Sequence, residues 1–348
     1  MNDSQYRTRV SAGISLGWRR LASCLLALTV ATVAFARSEF SSIVVFGDSL
    51  SDTGRLYRLT HGGFPPRNAY FDGRQTNGPV WVEYLADQLG LEHRLKNYAV
   101  VGAMTGPSSA IPSGNVKSDV YPTGLDGTSL SGQFTQYLAN TGYKVDPDAL
   151  YIVEGGANDL IRPLSWLLTH LPATNAEFMQ AVSDIATPTV INVATIVGTL
   201  KALGAQHVAV VNVPDFGLAP FLVNSPASST VSMIVGLVND NVAAQLDGLD
   251  ALGGNKIARI DAFGFIDGVV AAPDKFHLTN VQNQFMTLDQ TSGTVTFAST
   301  RRWAAAQWLF WDDLHPTTRG HELFAANALK TLRAAFPSEH VHQGGCRK

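Results

Sequence analysis

The sequence predicts an α/β fold with a mostly parallel five-stranded sheet between two layers of helices. Five short apolar runs, several of them rich in Val and Ile and bounded by Gly, Asn or Pro, have the character of buried parallel strands. They cover residues 42–47, 96–101, 149–154, 207–213 and 256–261. Helical patterns alternate with these runs, which implies parallel pairing and helices on both faces. The 348 residues, 45% of them hydrophobic, suffice for such a core.

The helical patterns differ in length. Val80 to Leu89 has apolar residues at three- and four-residue spacing and ends at Gly90. The longest helix is predicted over residues 175–203, with a bend or a break at Pro188. Two further helices are predicted over residues 231–249 and 317–335.

Two long segments have the composition of loops. Residues 55–79 are rich in Gly, Pro, Arg and Asn, and residues 103–130 in Gly, Ser, Pro and Thr. Loops of this length in a compact domain are usually functional, and we expect both at the carboxyl edge of the sheet. Residues 273–300 form a hairpin or an insertion. The apolar residues 160–172 form either a rim of the site or the start of a buried helix.

The first 36 residues are expected to be a secretory signal peptide. Four arginines precede a thirteen-residue apolar run, Leu21 to Val33, and Ala34-Phe35-Ala36 follows it. The alternative, an N-terminal membrane anchor, is less favoured because the run is short for a bilayer. We therefore expect cleavage near Ala36 and an extracellular or periplasmic protein. Residues 337–348 are expected to be a mobile tail.

Charge and cysteine content exclude some classes of protein. Residues 1–36 hold four of the 25 basic and one of the 28 acidic residues, so the remainder has a net charge of −6. No basic stripe remains for a nucleic-acid partner. Only Cys346 remains of the two cysteines, so a secreted monomer would have no internal disulfide.

A nucleophilic serine is predicted where the first strand ends, in Phe46-Gly47-Asp48-Ser49. A serine hydroxyl needs a base that accepts its proton and a group that orients the base. His315 follows Asp312 by three residues, so the carboxylate can reach Nδ1 and leave Nε2 free for Ser49. Asp313 is the competing partner. His321, a possible metal ligand, lacks zinc spacing and is assigned to the helix surface or to packing.

Donors for an oxyanion are predicted at the ends of two other strands. The Asn158 amide follows the strand over residues 149–154, and Gly102 follows the strand over residues 96–101. The backbone N–H of Ser49 is the third donor. We found no Gly-x-Gly-x-x-Gly pattern that would indicate a nucleotide site.

These motifs together resemble the GDSL lipase/esterase family, also called SGNH hydrolases, and its secreted bacterial branch. The matching segments are Phe46 to Gly54, Asn97 to Gly102, Gly156 to Asp159 and Phe310 to Thr317, with Asn77 to Leu85 in support. The resemblance covers residues 37–336 and implies a flavodoxin-like three-layer α/β/α fold. It also implies catalytic Ser49, Asp312 and His315, with an oxyanion hole of Ser49, Gly102 and Asn158. The family often has two glycines where this chain has Val101-Gly102.

The expected function is a serine carboxylic ester hydrolase that needs no metal or organic cofactor. An ester or lipid substrate implies transient contact with a membrane or lipid surface. Three alternatives stay open: a phospholipase or lipid acyltransferase with the same site, a polysaccharide O-acetylesterase, and an inactive flavodoxin-like binding protein. The sequence leaves open the acyl chain length, the acceptor, the export route and the oligomeric state.

Overall fold

A computed structural model of the chain describes residues 40–106, 127–170 and 172–337. Five parallel strands form the central sheet in the order β2-β1-β3-β4-β5. The strands are β1 (Ile43–Phe46), β2 (Leu95–Asn97), β3 (Leu150–Glu154), β4 (His207–Val211) and β5 (Ala258–Ile260). This confirms the predicted α/β class and a strand in each of the five predicted runs, although the second covers Leu95–Asn97 and not the predicted residues 96–101. The predicted signal peptide, the middle of the 103–130 loop and the predicted tail beyond residue 337 lie outside the described residues.

Helices connect the strands. They are α1 (Arg55–Leu59), α2 (Trp81–Leu89), α3 (Leu130–Asn140), α4 (Ala157–Thr169), α5 (Asn175–Ala202), α6 (Ser228–Ala251), α7 (Ala262–Ala271) and α8 (Thr318–Ala335). Short 3₁₀ turns occur at Glu92–Arg94, Phe216–Leu218, Pro273–Phe276 and Arg302–Gln307. The four predicted helices are present, and α5 continues through Pro188. The sequence patterns missed α1, α3 and α7.

The two faces of the sheet are covered by different helices because strand side chains alternate between faces. Ile43 and Val45 of β1 pack with residues of α2 and α8. Val44 and Phe46 pack on the opposite face with residues of α3, α5 and α6. The three layers bury most residues of β1, β3, β4 and β5, as the Val- and Ile-rich runs predict, whereas the edge strand β2 is half-buried to exposed.

Residues 273–300 were expected to form either a hairpin or an insertion, and they contain a hairpin. Its strands β7 (Met286–Leu288) and β8 (Val295–Phe297) are antiparallel. A separate pair, β6 (Asn280–Gln284) and β9 (Trp308–Phe310), is parallel and leads into the segment with Asp312 and His315. Residues 160–169 belong to α4, whose Leu160, Leu164 and Leu167 are buried, which favours the buried helix, although Ile161 of this helix also lines a cavity.

The strand order determines where a site can form. The chain runs from β1 to its neighbour β2 on one side, and the next connection crosses back from β2 to β3 on the other side of β1. Such a switch point opens a crevice at the carboxyl ends of the two neighbouring strands. The segments after β1 and β3 contain Ser49 and Asn158, so the topology brings these two predicted residues to one crevice.

Candidate active site

The turn that carries Ser49 is fixed by hydrogen bonds from distant parts of the chain. Gln133 of α3 accepts from the Gly47 N–H and donates to the Gly47 carbonyl, both at 2.9 Å. A Cβ on Gly47 would lie 2.7 Å from Glu154 Oε2, so any larger residue there would displace the Glu154 carboxylate. The Asp48 carbonyl accepts from the N–H groups of Ser51 and Asp52 and closes the turn. Ser49 is consequently held at the strand end in a single position.

His315 and Asp312 lie beside this turn in the order that a catalytic triad needs. His315 Nε2 is 2.9 Å from Ser49 Oγ, and His315 Nδ1 is 2.8 Å from Asp312 Oδ2. The Asp312 Oδ1 atom also accepts from the Leu314 N–H at 2.9 Å, which fixes the carboxylate within its own loop. The side chain of Asp313 makes no such contact, and its carbonyl accepts from the Phe221 N–H. Of the two adjacent acids, the geometry favours Asp312.

The pair is buried, and its two members stabilise each other's charge. Burial alone would lower the pKa of His315, but the Asp312 carboxylate and its hydrogen bond outweigh burial and raise that pKa. Burial likewise opposes ionisation of Asp312, yet His315 and the backbone donors bring the pKa of Asp312 below its ordinary value. The arrangement therefore stabilises an imidazolium next to Ser49 once a proton has been transferred.

Tyr70 is a member of this site that the sequence patterns missed. Its hydroxyl donates to Asp312 Oδ2 at 2.8 Å. Burial and the neighbouring Asp312 raise the pKa of Tyr70, so the phenol keeps its proton and remains a donor. Tyr70 precedes Asp312 by 242 residues, and no short-range pattern connects them. The loop composition of residues 55–79 gave only the general expectation of a functional segment.

Asp48 and Glu154 form a second group of buried acids beneath Ser49. Glu154 Oε2 accepts from the Asp48 N–H at 3.1 Å and from Ser51 Oγ at 2.9 Å. Burial, and then the negative charge of Glu154, raises the pKa of Asp48 well above its ordinary value. Burial also raises the pKa of Glu154. Glu154 is a charged residue directly after the apolar run Leu150 to Val153, and this position was the sequence signal that could have revealed it.

The three predicted oxyanion donors differ in how far they are available. The N–H groups of Ser49 and Gly102 donate to no other group among the described residues. Gly102 adopts a left-handed conformation, with φ of 76°, in a turn that the Ala103 N–H closes onto the Val100 carbonyl. Asn158 Nδ2 donates to Asp48 Oδ2 at 3.2 Å and to the Ala103 carbonyl at 3.0 Å. An oxyanion would therefore share or replace one acceptor of this amide.

A cavity of about 820 Å³, open solvent at its mouth included, adjoins the Ser49 hydroxyl. Ser49, Asn158 and His315 line it, whereas Gly102 does not. Most other lining side chains are apolar, among them Trp81 and Phe310. Within the described ranges, no three His, Cys, Asp or Glu side chains form a cluster that could hold a metal ion.

Comparison with known proteins shows that the chain is similar to lipases, esterases and acyltransferases. The model of the GDSL-like lipase/acylhydrolase family matches residues 43–328. A phosphatidylcholine-sterol acyltransferase of Aeromonas hydrophila is 36% identical, over 57% of this chain and 52% of its own length. The secreted effector protein SseJ of Salmonella typhimurium is 39% identical, over 53% of this chain and 37% of its own.

A third relative, esterase EstA of Pseudomonas aeruginosa, is 27% identical over 91% of this chain and 50% of its own length. The chain thus spans about half or less of these three relatives, between 37% and 52% of their lengths. At least one of them is by name a secreted protein.

Proposed function

Because the chain belongs to the GDSL-like lipase/acylhydrolase family, we propose that it hydrolyses carboxylic esters through an acyl-enzyme on Ser49. One observation carries this proposal: Ser49 Oγ lies 2.9 Å from His315 Nε2, whose Nδ1 lies 2.8 Å from Asp312 Oδ2. A base within hydrogen-bond reach can take the serine proton as the oxygen attacks, and a carboxylate behind the base stabilises the resulting imidazolium.

The reaction proceeds in two halves. Ser49 Oγ bonds to the ester carbonyl carbon as its proton moves to His315 Nε2, and a tetrahedral oxyanion forms. The imidazolium then gives that proton to the leaving alcohol oxygen as the carbon–oxygen bond breaks, which leaves an ester on Ser49. Water attacks this ester and passes its proton to His315. The proton returns to Ser49 Oγ when the carboxylic acid leaves.

The oxyanion is stabilised by preset donors, namely the N–H groups of Ser49 and Gly102 and the amide of Asn158. The absence of other acceptors for the two backbone groups within the described residues supports this role. Loss of one such donor commonly lowers kcat by roughly 10²- to 10³-fold. The Asn158 amide already donates a hydrogen bond to Asp48 Oδ2, and this bond holds the side chain at the strand end before an oxyanion forms.

An aliphatic acyl group is the substrate part that suits the cavity. Phe310, Leu314 and Ile161 surround the space next to Ser49 and offer no hydrogen bonds from their side chains. Burial of each methylene of an acyl chain contributes about 0.8 kcal/mol in such surroundings. Simple alkyl or aryl esters and lipid esters are accordingly the substrates proposed, with no cofactor.

The test is Ser49→Ala assayed on p-nitrophenyl acyl esters. We expect kcat to fall at least about 10⁴-fold, because the nucleophile is lost. A fluorophosphonate probe should label the wild-type protein and leave Ser49→Ala unlabelled. Ser41→Ala, at the opposite end of β1, is the matched control and should keep both activity and labelling. A wild-type protein that neither labels nor hydrolyses esters would favour a binding protein.

Acyl transfer to an alcohol is the second candidate function. Its specific support is the 36% identity to a phosphatidylcholine-sterol acyltransferase. The acyl-enzyme is the same, and only the acceptor differs. Product partition with a phosphatidylcholine donor and a sterol acceptor separates the two, since hydrolysis yields free fatty acid and transfer yields sterol ester.

Export of the protein with cleavage near Ala36 is also proposed. It rests on the arginine-rich start, the apolar run Leu21 to Val33 and the existence of a secreted relative. Amino-terminal sequencing of the protein recovered outside the cytoplasm tests it, and a mature chain that retains Leu21 to Val33 would contradict it.

A further inference from the structure

Aromatic side chains from three helices line the cavity next to Ser49. Phe324 of α8 packs edge-on against Trp81 of α2, with ring centroids 5.1 Å apart. Phe265 of α7 lies 5.2 Å from Phe324, centroid to centroid. All three side chains line the same cavity as Ser49. A hydrocarbon chain attached to the scissile carbonyl would find apolar contacts along this wall.

His321 is the exception within this apolar lining. It lies in the first turns of α8 and is only 3% exposed, and its side chain lines the cavity. Its backbone N–H donates to the Thr317 carbonyl. Its ring nitrogens, however, have no hydrogen-bond partner in residues 40–106, 127–170 or 172–337. The side chain therefore presents an unpaired polar edge to the cavity.

Every other polar side chain of the cavity wall has a partner. Asp215, for example, accepts from the Gly217 N–H at 2.9 Å and from Ser232 Oγ at 2.7 Å. Trp81 Nε1 donates to Ser51 Oγ at 3.0 Å. Asp48, Glu154, Asn158 and His315 are paired as described above. His321 is thus the lining residue whose hydrogen-bonding capacity is left for whatever occupies the cavity.

The imidazole of His321 is uncharged at neutral pH. Burial, with a smaller effect of His315, lowers the pKa of His321 to about 3. A neutral imidazole has one donor nitrogen and one acceptor nitrogen, so it can pair with water or with an oxygen atom of a substrate. It cannot pair with a methylene group.

We propose that His321 is the specificity-determining residue of the acyl pocket, and that it disfavours unsubstituted acyl chains long enough to pass it. This inference rests on the proposed function. A hydrocarbon chain alongside His321 excludes water and leaves the imidazole unpaired, which is unfavourable for a buried polar group. Acyl chains that end before His321, or that present an oxygen atom to it, avoid this loss.

The experiment compares His321→Leu with His321→Gln on p-nitrophenyl esters from acetate to dodecanoate. Leucine removes the polar edge, and we expect kcat/KM for the longer esters, relative to acetate, to rise about tenfold. Glutamine retains a donor and an acceptor and should follow the wild-type chain-length profile. A His321→Leu profile equal to that of the wild type would overturn the proposal. So would equal gains in both variants, because side-chain size would then be responsible.

A second measurement uses the wild-type enzyme alone and remains decisive if His321→Leu fails to fold. In a series of ether esters of constant length, oxygen replaces in turn each methylene beyond the β carbon, where it no longer activates the carbonyl. We expect one oxygen position to be hydrolysed about tenfold faster than the all-carbon ester, and equal rates throughout would contradict the proposal. Failure of the proposed function would be distinct, since the wild type would then hydrolyse none of the esters.

Discussion

The loop before α8 and the turn after β1 both bury carboxyl groups next to Ser49, but in opposite electrostatic settings. Asp312, in the loop, accepts hydrogen bonds from Tyr70, from the Leu314 N–H and from His315, which can carry a positive charge. Asp48 and Glu154, in and below the turn, have no Lys or Arg partner among the described residues. The pKa of Asp312 is lowered and those of Asp48 and Glu154 are raised.

The difference shows that burial alone does not decide the charge of an acid. All three carboxyl groups lose water, which favours the neutral form, and only a partner that becomes cationic reverses this effect. On the His315 side, a fixed negative charge stabilises the imidazolium formed during attack. On the Asn158 side, burial and the neighbouring Glu154 disfavour ionisation of Asp48, which limits the negative charge next to the developing oxyanion. Each setting suits the charge that the proposed reaction develops beside it.

Among substitutions of these carboxyl groups, Asp312→Asn should have the largest effect, because it removes the negative charge that stabilises the His315 imidazolium. The amide can still contact Nδ1, but it favours the wrong tautomer and does not stabilise the imidazolium. We expect kcat on p-nitrophenyl acetate to fall roughly 10³- to 10⁴-fold. Steady-state kinetics, with the folded state verified by thermal unfolding, measures this.

The adjacent Asp313 supplies the matched control. Its side chain does not contact His315, although its charge contributes to the raised pKa of His315. Asp313→Asn should lower kcat by less than about tenfold, because an unpaired neighbouring charge contributes little. Comparable losses in the two variants would show that the carboxylate partner of His315 has been assigned incorrectly.

Loss of the Tyr70 hydroxyl should lower activity less than loss of the Asp312 charge. Tyr70→Phe removes a donor that holds the Asp312 carboxylate in position behind His315, and the poorer alignment should lower kcat/KM about 5- to 30-fold. The wild type needs neutral His315, whose pKa is raised, so its kcat/KM should decline below a midpoint above pH about 6.5. Without Tyr70, Asp312 attracts the His315 proton more strongly, and this midpoint should move to still higher pH.

Tyr84→Phe is the control for this effect. The Tyr84 hydroxyl shares a 2.7 Å hydrogen bond with Thr318 Oγ1 and does not contact Asp312. Tyr84→Phe therefore removes a tyrosine hydroxyl but leaves the hydrogen bonds of the Asp312 carboxylate unchanged. A pH midpoint that stays at the wild-type position in Tyr70→Phe would contradict the role assigned to Tyr70.

The sequence predicted those parts of the fold and site that have a local signal. Apolar runs gave the strands because burial on both faces selects such residues in consecutive positions. The Asp312 to His315 spacing predicted their contact because three residues suffice for the loop to turn back. Ser49 and Asn158 were placed together because parallel strands align their carboxyl ends at one edge of the sheet.

The missed residues depend on contacts between distant parts of the chain. Tyr70 reaches Asp312 across 242 residues, and Gln133 reaches Gly47 across 86. Neither the loop of residues 55–79 nor α3 contains a periodic pattern that specifies a partner. His321 was assigned to packing or to the helix surface because helix spacing does not show which face adjoins a cavity. The structure buries it and places it in the cavity wall.

The smallest effect is expected for Asp48, in the turn after β1, and it is a change in the pH dependence of the protein's stability. The folded protein keeps the Asp48 proton that the unfolded chain releases above its ordinary pKa, about 3.9. The wild type therefore loses stability as pH rises from there toward the raised folded-state pKa. Asp48→Asn has no such proton, so its Tm relative to the wild type should increase as pH rises above about 4. Its kcat should stay within about tenfold, because an amide retains a donor and an acceptor.

Asp289→Asn is the control with the opposite sign. Hydrogen bonds from Ser292 and from the Thr291 N–H lower the pKa of Asp289, so its contribution to stability is present above the ordinary pKa and is lost as pH falls. The Tm of Asp289→Asn relative to the wild type should therefore decrease as pH rises. Thermal unfolding measures the two slopes, that of Asp48→Asn against the wild type as pH rises above about 4, and that of Asp289→Asn against the wild type between pH about 2 and 5. Slopes of the same sign would mean that Asp48 is ionised in the folded protein, and the contrast between the two sides of Ser49 would then be lost.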